Sequence, residues 1–157
     1  MAEPVTQEEL AKWTRWFAIE CNNRAWKLAD SLSRTLADDE EMLHAAHAAA
    51  LHWSDVGTQL NHMRATMLLG HVHALLGDGA RAMGYAQEAF DYVMAHDSPP
   101  WEVAFAHAVL ANAASAAHDR VLHARHYETA LAEGNALPDA EERAIFAAMF
   151  RTVPAPK

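Results

Sequence analysis

Residues 63–93 read MRATMLLGHVHALLGDGARAMGYAQEAFDYV, and this stretch decides the fold. Two helical patterns meet there at the tight turn of residues 77–79, Gly-Asp-Gly. Small residues, Gly70, Ala82 and Ala89, occupy positions at which two packed helices would touch. Because a small side chain lets a second helix approach closely, the stretch predicts a helix–turn–helix unit with a tightly packed interface.

The length and the composition of the chain bound its class. The 157 residues suit one domain with a sizeable core, and 52% hydrophobic with 21% charged residues indicates a globular protein. The formal net charge is −9, from 12 Lys plus Arg against 21 Asp plus Glu. Such a charge repels a phosphate backbone, so we expect no nucleic-acid binding. It favours basic partners, although an acidic surface that only keeps the protein in solution is the alternative. We expect no membrane association either, since no apolar run approaches the ~20 residues of a membrane span.

Cysteine usage and the N-terminal residues predict a cytoplasmic location. Cys21 is the single cysteine, which excludes an internal disulfide and a thiolate metal cluster and fits a reducing compartment. Residues 1–10 lack the basic region and apolar core of a signal peptide. Because Cys21 lies within an apolar stripe, we expect it to be a buried apolar side chain and not a nucleophile.

Apolar spacing and helix-end signals predict seven helices. The first begins at the capping box of Thr6 and Glu9, and its stripe continues to Leu36, with residues 21–23 as the place of a kink or division. Residues 37–39 form the next turn, with Asp38 or Asp39 as the cap of helix two. That helix runs to about Asp55, and Gly57 stops it. The remaining helices are predicted at residues 58–76, 80–95, 100–117, 120–133 and 138–150, followed by a loose tail at 153–157.

An offset of 41 residues brings related positions of the chain into register. Similar residues then coincide in three sets: Leu28, Leu69 and Leu110; Ala29, Gly70 and Ala111; Ala48, Ala89 and Ala130. A helix pair of this kind buries its apolar face only by stacking on the next pair, so the offset predicts a helical repeat array. Since alanine is common in the chain, a plain helical bundle is the alternative.

The best-preserved unit resembles the tetratricopeptide-repeat family. The residues that carry the resemblance are Leu69, Gly70, Gly77, Asp78, Ala82 and Ala89, with partial matches at Leu110, Ala111, Asp119, Tyr127 and Ala130 and fewer at Leu28, Ala29 and Ala48. The family repeat is about 34 residues long, shorter than the offset here. The resemblance implies an all-α array of antiparallel helix pairs in one domain over residues 1–157. Three units at 22–134 then lie between an N-terminal capping helix, 1–21, and a C-terminal one, 138–151.

The resemblance also implies a binding groove, because in this family the first helix of each pair lines a concave face. Asp30, His71 and Asn112 share one position of the repeat and are polar each time. Mixed aromatic, amide and charged groups suit a peptide or a small polar ligand, although ordinary helix-surface residues are the alternative. The family's clamp for C-terminal carboxylates is not expected, since its lysines are missing. The predicted groove residues are Asn23, Trp26, Asp30, Arg64, Met67, His71, Phe105, Asn112 and Ser115.

The eleven histidines raise the alternative of a metal-dependent helical-bundle enzyme. Glu41 and His44 form one Glu-x-x-His, His47 follows one turn later, and a distant histidine pair would complete the site. A di-iron bundle needs that motif twice, whereas this chain has it once, and it has no His-Glu-x-x-His. We therefore expect no metal, no other cofactor and no catalytic site.

The first helix carries aromatic residues on two faces. Trp13, Trp16 and Phe17 crowd its N-terminal half, which predicts a homodimer contact at this end. Taken with the repeat, the sequence predicts a non-enzymatic binding or scaffolding protein for a protein or peptide partner, one of basic character by the charge argument.

Overall fold

The computed structural model describes residues 4–157, which form seven α-helices and no β-strand. The helices are α1 (Gln7–Ala29), α2 (Leu36–Val56), α3 (Gln59–Leu75), α4 (Gly79–Ala95), α5 (Pro100–Ala116), α6 (Arg120–Asn135) and α7 (Ala140–Phe150). The prediction of an all-α fold with about seven helices is confirmed. Within residues 4–157, every helix is too short or too polar to cross a membrane.

Consecutive helices pack against each other along the chain, as a helical repeat requires. The most extensive contacts join α1 to α2, α3 to α4 and α5 to α6. The odd-numbered helices also form a row, because α3 contacts both α1 and α5, and α5 contacts α7. The largest core cluster, which includes Val93, Leu110, Phe146 and Met149, extends from α3 to α7 and the tail. A second cluster, with Met42 and Leu68 at its centre, joins α1, α2 and α3.

Side-chain caps fix most of the helix starts. Thr6, Thr35 and Thr58 form capping boxes with the residue three positions later, so that two backbone amides are satisfied at each start. Asp78, Asp119 and Asp139 cap α4, α6 and α7 through one carboxylate bond each. Helix α5 has no side-chain cap and begins with Pro100, whose fixed φ suits the first helical position.

The predicted boundary between the first two helices was wrong. Helix α1 ends at Ala29, and residues 30–35 form the turn, where the sequence suggested a helix to Leu36 and a turn at 37–39. Arg34 holds this turn by donating to the Ser31 carbonyl at 2.8 Å and to the Asp39 carboxylate at 2.7 Å. Thr35 is the N-cap of α2, and Asp38 is its capping-box partner and not the cap itself. The apolar stripe misled because Leu36 is 88% exposed and is no part of the core.

Three further local predictions need correction. Helix α6 continues through Gly134 to Asn135, and Phe146 of α7 packs where a side chain at Gly134 would lie. The tail is not loose, because Val153 is buried and the Pro154 carbonyl lies 2.7 Å from Nε2 of His123. Cys21 is only partly buried, beside the small cluster of α1, α2 and α3 residues. Helix α1 is continuous through residues 21–23.

Two predictions about small residues are confirmed. Gly57 is the C-cap of α2. A Cβ atom at Gly70 would lie 2.9 Å from the backbone nitrogen of Ala86, so α3 and α4 approach as closely as the sequence indicated. Gly77 adopts a left-handed φ of 78°, which ends α3 and places Asp78 to cap α4.

Candidate ligand-binding cleft

A cleft of about 510 Å³ lies among the odd-numbered helices, with one residue contributed by α2. Its walls consist of four aromatic side chains, one isoleucine and one methionine side chain from α7, and several polar and charged groups. The lining residues are Asn22, Trp26, Asp30, Trp53, Asn61, Arg64, Met67, Trp101, Glu102, Phe105, Glu142, Ile145 and Met149.

Five of the nine predicted groove residues line this cleft: Trp26, Asp30, Arg64, Met67 and Phe105. They come from three different helix pairs, which the row of odd-numbered helices brings together. The rings of Trp26 and Phe105 meet edge to face with their centroids 5.9 Å apart. The position of these residues in the repeat was the sequence signal that found them.

His71 and Asn112 lie beneath the cleft wall and are buried. Nδ2 of Asn112 and Nδ1 of His71 are 3.1 Å apart, and Nε2 of His71 lies 3.4 Å from Oγ1 of Thr152. Trp26 stacks on the His71 ring at 5.6 Å. Burial lowers the pKa of His71 to about 3, so the imidazole is neutral at pH 7. The pair therefore supports the aromatic wall from behind.

The other two predicted residues are not among those that line the cleft. Asn23 is exposed on α1, and its neighbour Asn22 lines the cleft instead. Ser115 is partly buried near the end of α5. Because successive helical residues are rotated by about 100°, a register error of one residue is enough to exchange Asn23 for Asn22.

A partly buried ion pair at the cleft wall could not be predicted from the sequence pattern. Nε of Arg64 donates to Oε1 of Glu102 at 2.6 Å, and Glu102 is 1% exposed while the Arg64 side chain is 42% exposed. The Arg64 guanidinium also lies 5.2 Å from the ring centroid of Trp101, within cation–π range. Glu102 lies in the first turn of α5, where the helix dipole favours a carboxylate. The signal that could have found it is Pro100, since a proline at the first helical position places the next two residues in that turn.

The wall from α7 was also missed. Glu142, Ile145 and Met149 close one side of the cleft. The repeat offset could not predict this wall, because α7 follows the three units and was interpreted only as a capping helix. Asn61 has a local role besides lining the cleft, since its Oδ1 accepts from the Thr58 amide at 3.0 Å.

Four of the eleven histidines form two pairs outside the cleft. Nε2 of His47 and Nε2 of His73 are 3.1 Å apart, and Nδ1 of His107 and Nδ1 of His126 are 2.8 Å apart. Burial is the largest cause that lowers the pKa of each of these four imidazoles, which keeps them neutral so that one ring donates and the other accepts. This hydrogen bond accounts for the close approach of the two rings in each pair.

The residues of the alternative metal site have other contacts or are exposed. Glu41 lies 3.6 Å from Nε of Arg24, and His44 is exposed on α2. His47 contacts His73 and not a carboxylate. Among residues 4–157, no group of three or more His, Cys, Asp or Glu is arranged to hold a metal ion.

The aromatic residues of the first half of α1 are exposed. Trp13, Trp16 and Phe17 have exposed fractions of 52%, 48% and 45%, and their rings pack on one another edge to face. Phe17 also stacks on His52 of α2 at 5.9 Å. These residues form a continuous apolar surface at the end of the molecule.

Comparison of the chain with models of protein families, with curated proteins and with solved structures finds no match. The helix packing therefore supports a helical repeat on its own, and a function must be inferred from the chain's own residues. The cleft is the feature that combines an enclosed volume, aromatic walls and charged groups.

Proposed function

We propose that this chain is a non-enzymatic binding module of the tetratricopeptide-like type, and that its cleft binds a peptide segment of a protein partner. The observation that carries the proposal is the cleft itself, with Trp26, Trp101 and Phe105 around the ion pair of Arg64 and Glu102. Large aromatic side chains around a few charged groups are typical of the residues that contribute most to binding energy.

The arrangement of the helices supports this proposal. Helices α1, α3 and α5 each contribute to one cleft, as the first helices of three stacked antiparallel pairs would do on a concave face. The small-residue contact of Gly70 with Ala86 is the close packing that such pairs need. The repeat length of 41 residues in place of about 34 makes the chain a divergent member of that type. A cytoplasmic location is part of the same proposal, since it fits a single cysteine.

A selection from a random dodecapeptide library tests whether the cleft binds peptides. Recovered peptides are measured by fluorescence anisotropy on the natural chain, on Trp101→Ala and on the control Trp13→Ala, which removes the same residue type from the exposed end of α1. Removing a central aromatic side chain of a binding site costs about 2 kcal/mol or more, so we expect at least about thirtyfold weaker binding to Trp101→Ala. The control should bind as the natural chain does.

Equal binding of the selected peptides to Trp101→Ala and to the natural chain would contradict the proposal. Circular dichroism establishes that both variants keep their helix content. Stoichiometric zinc or iron in protein purified without an affinity tag would instead favour the metal-dependent enzyme with Glu41, His44 and His47.

A second surface is proposed for self-association. The exposed group of Trp13, Trp16 and Phe17 would bury its apolar faces against a second copy of the chain. Sedimentation equilibrium at tens of micromolar tests this, with the double variant Trp13→Gln/Trp16→Gln as the comparison. We expect the natural chain to dimerise and the variant to be monomeric; a monomeric natural chain rules the contact out.

A further inference from the structure

Trp26 and Asp30 form one end of the cleft. Asp30 is the C-cap of α1 and follows Trp26 by four residues, which places the two side chains on the same side of the helix. One face of the Trp26 ring stacks on His71, and that imidazole is neutral because burial lowers its pKa to about 3. The support behind Trp26 therefore does not repel a cation in the cleft.

The Asp30 carboxylate lacks a full set of hydrogen-bond partners. Its Oδ1 atom is buried and has no partner among the described residues. Burial raises the pKa of Asp30, and the Arg151 guanidinium opposes this shift. Arg151 itself donates to the backbone carbonyl of Asp30 at 3.3 Å. Because an incompletely paired buried carboxylate costs free energy, a cation that reached Asp30 would offset that cost.

The tryptophan rings of the cleft differ in whether an arginine of the chain already makes a cation–π contact with them. The guanidinium of Arg64 lies 5.2 Å from the Trp101 ring centroid, and that of Arg15 lies 5.8 Å from the Trp53 ring. Over Trp26 the described part of the chain places no lysine or arginine. Trp26 already stacks on His71 and meets Phe105 edge to face, but it is the cleft tryptophan whose ring carries no cation of the described residues, so a ligand cation would not compete with one there.

The charges around the cleft favour the same kind of ligand. The lining residues include three carboxylates, Asp30, Glu102 and Glu142, and one guanidinium, Arg64. They leave an excess of two negative charges, which Arg151 beside Asp30 reduces to one. The formal net charge of −9 for the whole chain adds a long-range attraction for cations.

We propose that the Trp26–Asp30 end of the cleft binds the side-chain cation of a lysine or arginine in the peptide partner. The ammonium or guanidinium lies against the Trp26 ring and pairs with the Asp30 carboxylate, while its alkyl stem packs in the cleft. This inference depends on the proposed peptide-binding function and defines the chemistry of its ligand.

Nuclear magnetic resonance of the five indole N–H groups tests the proposal with small probes. The probes are Nα-acetyl-lysine amide, Nα-acetyl-arginine amide, and the amides of Nα-acetyl-norleucine and Nα-acetyl-glutamate, each titrated into the natural chain in the millimolar range. We expect the two cationic probes to shift the signals of Trp26 and Trp101. The signals of Trp13 and Trp16 lie outside the cleft and are the internal control.

Two variants of equal charge change complete the experiment. Asp30→Asn should weaken binding of the lysine probe on the order of tenfold and leave the norleucine probe unchanged. Asp91→Asn, on the exposed side of α4, should leave both unchanged. The inference is overturned if the norleucine or glutamate probe binds as well as lysine, if Asp30→Asn has no effect, or if no probe shifts the Trp26 signal. In each of these cases the selected peptides can still lose their binding to Trp101→Ala, which would leave the proposed function standing; equal binding to that variant contradicts the proposed function separately.

Discussion

The turn between α3 and α4 and the turn between α5 and α6 have the same geometry, 41 residues apart. Gly77 has a φ of 78°, and its counterpart His118 has a φ of 61°. The amide of Asp78 donates to the His73 carbonyl at 2.9 Å, and the matching bond of Asp119 has the same length. The two aspartates then cap α4 and α6 in the same way. The repeat is thus present in the backbone geometry of these two turns, and not only in the alanines that coincide at the offset of 41 residues.

The residues that follow the two aspartates, Gly79 and Arg120, differ. The difference shows how a neighbouring helix pair restricts the side chain at this position. A Cβ atom at Gly79 would lie 2.5 Å from the Ala116 carbonyl oxygen, because α4 begins against the end of α5. The equivalent residue, Arg120, is exposed. Backbone geometry therefore repeats with the helix pair, whereas the permitted side chain depends on whether another helix end packs there.

The largest expected effect is that of Gly79→Ala. The added Cβ meets backbone atoms, which cannot rotate away, so the variant should lose about 2–3 kcal/mol of unfolding free energy in urea denaturation. The matched change Arg120→Ala should stay within about 0.5 kcal/mol of the natural chain. If Gly79→Ala were as stable as Arg120→Ala, the contact between α4 and the end of α5 would be looser than the structure has it.

The second prediction uses the equivalent residues His71 and Asn112, of which only the histidine titrates. Because the pKa of His71 falls from 6.5 to about 3 on folding, the unfolded chain binds a proton below pH 6.5 that the folded chain does not. Stability is therefore fully present above pH 6.5 and is lost as the pH falls towards 3, by about 2 kcal/mol at pH 5 from this group.

Comparison of urea denaturation at pH 7 and pH 5 measures this loss, with His71→Gln as the non-titrating variant. The two histidine pairs, His47 with His73 and His107 with His126, contribute in the same direction, because burial also lowers the pKa of their imidazoles. The test is therefore the difference between the two slopes of unfolding free energy with pH and not the total loss. If the unfolding free energy of His71→Gln fell with pH as steeply as that of the natural chain, the prediction would be wrong. The acid sensitivity would then come from the histidine pairs outside the cleft.

The comparison of the helix pairs also shows what the sequence could predict. Offset and small residues predicted the second and third pairs, because Gly70, Gly77 and Asp78 act through local backbone geometry that leaves a residue pattern. The first pair broke the pattern, since Arg34 and Thr35 fix a longer turn by side-chain bonds that follow no repeat.

The cleft was predictable to the same extent. Residues at a repeated helix position, such as Trp26 and Arg64, were found from their register. Glu102 was not, because it is identified by its ion pair with Arg64, a residue 38 positions earlier, and no periodicity relates the two. The wall from Ile145 depends likewise on where α7 packs, which follows from the tertiary contacts of α5 and not from a local pattern.

The smallest expected effects are changes in unfolding free energy that have opposite signs at the two turns. Gly77→Ala puts a Cβ into a left-handed backbone and should lower the unfolding free energy by about 1 kcal/mol. His118→Gly removes the same strain and should raise it by less than about 1 kcal/mol, since glycine also adds freedom to the unfolded chain. Thermal denaturation measures both, with His118→Ala as the variant that keeps a Cβ and should remain near the natural stability. If His118→Gly were destabilising by as much as Gly77→Ala, the His118 side chain would contribute more than its strained backbone costs, and the two turns would be alike in geometry but stabilised by different interactions.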